Sequence, residues 1–161
     1  MDDQQLSKAF AATVQASLHG LQSLHALLQR EQQALTGRDP ALLEQLVRDK
    51  LTLLKELEYS VQARDRLQVA AGLETGIDGG RQIAERCCSL LPALTADWEK
   101  LNTLARTVAE LNDHNGQLVI QRQRTTRSAL EVLTGRPRRE DTYSTLRRRT
   151  PAAASCSLGR V

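Results

Sequence analysis

The stretch Thr36-Gly37-Arg38-Asp39-Pro40 decides how this chain folds. Gly37 suits the left-handed residue that closes a helix, Asp39 can cap the next helix, and Pro40 fits its first position. A link this short between two long helices turns the chain back on itself as an antiparallel hairpin. Upstream, residues 4–36 contain no Pro and one Gly, and Val14, Leu21, Leu28 and Leu35 recur every seven residues. Phe10, Leu18 and Leu24 fall on the same side, so this segment reads as a helix packed lengthwise on another, roughly 45–50 Å long. Downstream, residues 40–71 carry an apolar face of Leu43, Leu46, Val47, Leu54, Leu57, Val61 and Leu67, with Glu44, Arg48, Lys55, Glu58 and Asp65 largely on the other side.

The next break is Gly72-Leu73-Glu74-Thr75-Gly76-Ile77-Asp78-Gly79-Gly80. Four Gly in nine residues argue against a helix interior and for a flexible linker. A short amphipathic stretch over residues 81–91 (Ile83, Cys87, Leu90, Leu91) follows, and Pro92 marks a boundary. The last helix is expected over residues 93–134, with Gly135 as its stop and a seam of Leu94, Trp98, Leu101, Leu104, Val108, Leu111, Leu118, Val119, Leu130 and Leu133.

Composition supports this architecture. Leu occurs 27 times in 161 residues, while aromatic residues make up 2% of the chain. Leu, Ala, Gln, Glu and Arg favour helices, whereas strands draw on β-branched and aromatic residues. The fold class is therefore all-α: an elongated antiparallel helical bundle of three long helices and one short helix. Residues 1–135 are expected to form the bundle and 136–161 a flexible, disordered basic tail that docks on a partner. The formal charge of +3 hides an asymmetry. Residues 136–161 hold seven Arg and two acids, net +5; residues 1–135 hold 15 basic and 17 acidic residues, net −2.

Several classes of chemistry find no support. His19, His25 and His114 have no metal-ligand spacing, and Glu110-x-x-x-His114 has no second copy with which to build a carboxylate-bridged site. No phosphate-cradling loop, Cys-x-x-Cys or nucleophile elbow is present. No catalytic residue, cofactor or metal is expected, and the chain is not read as an enzyme. Three Cys, two of them adjacent (Cys87 and Cys88), fit a reducing compartment better than a disulfide framework. No apolar run spans a membrane, so a soluble cytoplasmic protein is expected. The Arg-rich tail keeps open a second class, a structural or regulatory coiled-coil protein whose tail binds nucleic acid or an acidic partner. One Tyr in that tail is a poor stacking platform for single strands. A Leu-rich seam can close within one chain or between two copies, so a homo-oligomer also stays open.

The least expected segment is Leu111-Asn112-Asp113-His114-Asn115-Gly116-Gln117-Leu118, a run of poor helix formers in mid-helix. Asn112 and Asn115 are three apart and read as sharing a face with Val108 and Val119. They serve either as a buried polar pair that sets helix register or as a point of close approach for a partner, with Gly116 admitting its backbone. Leu118, Val119 and Ile120 cannot share one face, and the seam assigns Val119 to the core.

This segment resembles the FlgN family of flagellar export chaperones. The resemblance rests on Asn112-x-x-Asn115-Gly116, the apolar pair Val119-Ile120 and Ala129-Leu130-x-x-Leu133-x-Gly135. Trp98 upstream and the leading helix pair around Asp39 add to it. It implies a cytoplasmic chaperone without ATPase activity. Such a chaperone binds the hook–filament junction proteins FlgK and FlgL and passes them to the export gate protein FlhA. It assigns Asn112, Asn115, Gly116, Leu118, Val119 and Ile120 to substrate binding. Tyr143, in Thr142-Tyr143-Ser144, takes the place of the family's Tyr-Gly pair, with Ser144 replacing the Gly, and is assigned to gate docking.

Overall fold

The computed structural model describes residues 2–134, and these are all-helical without a strand. Four helices follow in order: α1 Asp3–Gly37, α2 Pro40–Ala70, α3 Ile77–Arg86 and α4 Ala93–Thr134. Tyr143, the Arg-rich segment and the expected boundary after residue 135 lie outside the described residues. Contacts divide the chain into two compact units after Arg124. The second is described here only through the last turns of α4.

Capping sets the ends of the hairpin. The Asp2 carboxylate accepts from the Gln5 amide at 2.7 Å to start α1, and Asp39 accepts from Leu42 N at 3.0 Å to start α2, with Pro40 in the first turn. The left-handed residue at the end of α1 is not Gly37, as the sequence suggested, but Arg38 (φ 60°). The helix runs one residue further, and Asp39 N–H then reaches Ala34 O at 3.2 Å. A non-glycine residue in this conformation costs about 1–2 kcal/mol.

α1 and α2 pair antiparallel. Ser17 meets Ser60 at 3.1 Å, and 14 residues further along α1 Glu31 meets Lys50, ten residues earlier in α2. Gly20 permits the close approach, since a Cβ there would stand 2.8 Å from the Leu57 side chain. α4 runs parallel to α1: Gln15 Nε2 donates to Asp97 at 2.7 Å, Asn115 Nδ2 to Leu28 O at 2.9 Å. α2 therefore opposes both.

The largest apolar cluster gathers Leu6, Phe10, Val14 and Leu18 of α1, Ile83, Ala84 and Cys87 around α3, and Leu94, Trp98 and Leu101 of α4. Two smaller clusters lie further along α1, one of Leu24, Leu28 and Val108, the other of Leu27, Ala34 and Leu46. Phe10 and Trp98 meet with ring centroids 5.6 Å apart, and the Arg64 guanidinium lies 5.2 Å from the indole centroid. Burial there pushes the Arg64 guanidinium below its ordinary value, and neighbouring Asp65 pushes it back up. Burial also raises the Cys87 thiol, helped by Asp3 and Cys88 and opposed by Arg86.

Two sequence expectations are corrected here. The glycine cluster is not a plain flexible linker, because α3 begins inside it and Gly79 and Gly80 are buried in its first turn. A Cβ on Gly80 would stand inside the Trp98 indole, and one on Gly79 would collide with the Glu74 carbonyl. The loop is also clasped: the fully buried Gln68 carboxamide donates to Gly76 O and accepts from Gly76 N, both at 2.9 Å. Gly72 and Gly76 supply the positive φ values (76° and 100°) that this turn needs. The second correction concerns α2. Val47, Leu54 and Val61, read as core-facing, are 47%, 43% and 37% exposed. Apart from Leu46 and Gln68, α2 has no buried residue. Its apolar side chains spread over a wider arc than its neighbours cover.

Candidate functional site

The Asn segment forms an unbroken part of α4, although five consecutive residues from Asn112 to Gly116 are weak helix formers. Relative to alanine these five cost roughly 3 kcal/mol of intrinsic helix propensity, so tertiary contacts must hold the segment. One residue supplies them. Asn115 is 2% exposed, and its Nδ2 donates to Leu28 O at 2.9 Å and to Glu31 Oε2 at 2.8 Å. Both partners are acceptors, which fixes the orientation of the carboxamide. Glu31 in turn accepts from Lys50 Nζ at 3.2 and 3.3 Å. Three helices are thus tied at one level by an amide, a carboxylate and an ammonium. The Lys50 and Glu31 side chains are 20% and 10% exposed, so losing one partner would leave a poorly solvated charge. Among the described residues Asn115 Oδ1 is buried without a partner.

The other expected site residues do not converge on Asn115. Asn112 is exposed, so the two Asn do not form a buried pair. A three-residue step turns a helix about 300°, and here it carries Asn112 off the face that α1 covers. Among the described residues nothing lies within 4 Å of where a Gly116 Cβ would be, so none of them makes the close approach that the glycine suggested. Leu118 is half-buried, whereas Val119 (39%) and Ile120 (52%) are exposed. The seam assigns Val119 to the core; the structure leaves Val119 exposed and half-buries Leu118 instead. The result is an exposed apolar pair directly beyond a buried polar anchor. Tyr143 lies outside the described residues.

Sequence reasoning missed Glu31 and Lys50. Glu31 had a readable signal, since a charge stands in the Leu24–Leu28–Leu35 seam at a position that faces the core. Lys50 had none, because its role depends on where α2 sits against α1.

Among the described residues no three His, Cys, Asp or Glu side chains are placed to hold a metal, and no helix is long and apolar enough to cross a membrane. What the residues do build is a helical scaffold with an exposed apolar stretch, the class of a protein-binding helical module. The family comparison narrows this class. The model of the family described as FlgN protein matches residues 1–146, nearly the whole chain, and the chain belongs to that family. Membership points to a flagellar export chaperone rather than an enzyme. No curated protein and no solved structure matches the chain.

Proposed function

We propose that this protein is a cytoplasmic export chaperone for hook–filament junction proteins of the FlgK and FlgL type. It covers their disordered terminal helical segments and delivers them to an FlhA-like export gate. The observation that carries the reading is the exposed pair Val119 and Ile120 beside half-buried Leu118, in the family-typical Asn segment of a chain matched by the FlgN family over residues 1–146. An amphipathic segment laid along α4 would bury these side chains in the helix-in-groove manner. Ordering a disordered segment costs about 2–5 kcal/mol, which keeps such a complex releasable. In this reading Asn112 and Gly116, both exposed, border the docked segment, Asn115 holds the platform, and Tyr143 docks on the gate.

The test is binding of C-terminal junction-protein segments to the full chain. The double substitution Val119→Ser and Ile120→Ser should weaken binding by about tenfold or more. Helicity and unfolding midpoint should stay unchanged, because both side chains are exposed. Unaltered binding by the double variant would remove α4 from the site. Tyr143→Ala should leave segment binding intact and lower export in cells; undiminished export would overturn the gate assignment. Should the chain instead bind DNA with an affinity that falls steeply as salt rises, the alternative of a basic tail acting on phosphates takes over.

A further inference from the structure

Burial along α4 stops at one residue. Leu94, Trp98, Leu101, Val108 and Asn115 are buried, and among the described residues after Asn115 none is. The segment before that point rests on apolar contacts to α1 and α3, through Trp98, Leu101 and their neighbours. From residue 116 to 124 only Leu118 and Arg122 are even half-buried, and Arg122 Nη2 reaches Thr36 O of α1 at a long, exposed 3.5 Å. At the junction stand five residues with weak intrinsic helix propensity, ending in a glycine with open space beside it. What holds the junction is polar and directional: two hydrogen bonds from one carboxamide to α1, backed by Lys50 of α2. A hydrophobic contact weakens gradually as surfaces slide, but a hydrogen bond weakens steeply once it is stretched beyond about 3.5 Å or bent by about 60°.

We propose that Asn115 is a latch and residues 112–116 a hinge, so that residues 116–124 of α4 stay docked on the α1–α2 hairpin while Leu28 O and Glu31 hold the Asn115 amide, the exposed Arg122–Thr36 contact being too long to hold them by itself. Opening the latch bares Leu118 beside the already exposed Val119 and Ile120. That consequence rests on the proposed substrate site and would make the latch its regulator. The latch itself is a property of the free protein and is tested there.

The experiment is hydrogen exchange of the full chain without partner, read as protection factors that correct for the intrinsic pH dependence of exchange. In the unaltered protein, protection at residues 98–111 should exceed that at residues 117–122 by about tenfold or more, the size expected from a hydrogen bond to a charged group. Asn115→Asp sets a second carboxylate against Glu31. At pH 7 it should abolish protection at residues 117–122 while residues 10–18 of α1 keep theirs. Lowering the pH to about 5 should restore it, since two adjacent carboxyls then share a proton. The titratable groups facing the new carboxyl are Glu31 of α1 and Lys50 of α2; Asp113 and His114 on α4 are exposed. The unaltered chain carries His114 too and should show no such recovery. If Asn115→Asp does not fold, Glu31→Gln and Glu31→Leu replace it. The first retains an acceptor and should retain protection at residues 117–122, and the second should lose it. Uniform protection from residue 98 to 124 overturns the proposal. So does a loss that spreads equally to residues 10–18 or ignores pH, or one that Glu31→Gln and Glu31→Leu share. Failure of the junction-protein binding test would leave the latch standing.

Discussion

The two ends of the α1–α4 contact are built on opposite terms. At the α3 end, Phe10, Trp98, Ile83 and Cys87 close a core with no room left, and Gly80 is a glycine because the indole occupies the place of its Cβ. At the other end, Asn115, Glu31 and Lys50 tie three helices through polar groups, one acceptor goes unpaired, and Gly116 faces open space. The same residue type thus has two meanings in one chain. One glycine is demanded by packing, and the other only lowers the helix propensity of the segment that holds it. The first end fixes the structure, and the second has slack that substitutions can remove.

Three substitutions probe this contrast by unfolding midpoint. Gly80→Ala should have the largest effect, a loss of about 3 kcal/mol, because the new methyl forces the indole out of a filled core. A loss under 0.5 kcal/mol would mean that the α3 end can yield and that the contrast is false. Arg38→Gly, at the turn closing α1, should gain up to about 1 kcal/mol by relieving a non-glycine left-handed residue, partly offset by the greater freedom of glycine in the unfolded chain. Gly116→Ala should gain the least, about 0.5–1 kcal/mol, as expected for a helix-interior glycine with space for a methyl. Destabilisation by Gly116→Ala would show that the site is tighter than its geometry and would count against slack at the Asn115 end.

Much of this was readable from residue order. The helix class followed from leucine abundance and aromatic scarcity. The hairpin followed from Asp39 and Pro40 after a long seam, and α4 began close to where Pro92 suggested. These are local rules, set by capping geometry and by a period of 3.6 residues, and they act within a few residues of themselves. The glycine cluster misled for the same reason. Alone it signals a break, whereas the structure uses it to bring α3 against Trp98 and to seat the Gln68 carboxamide.

Which apolar residues are covered was settled elsewhere. Val119 and Leu118 are one residue apart in a seam that accommodates either, and only the tertiary structure half-buries Leu118 and leaves Val119 exposed. Val47, Leu51 and Leu54 share the helical spacing of a core face, yet α2 leaves them exposed. The partner of Asn115 lies 84 residues away at Glu31, and no local pattern encodes that distance. Periodicity tells a helix which side is apolar; whether that side meets another helix depends on the packing of the rest of the chain. In α4 the residues for which packing decides that outcome, Leu118 and Val119, are among the ones proposed to meet a partner.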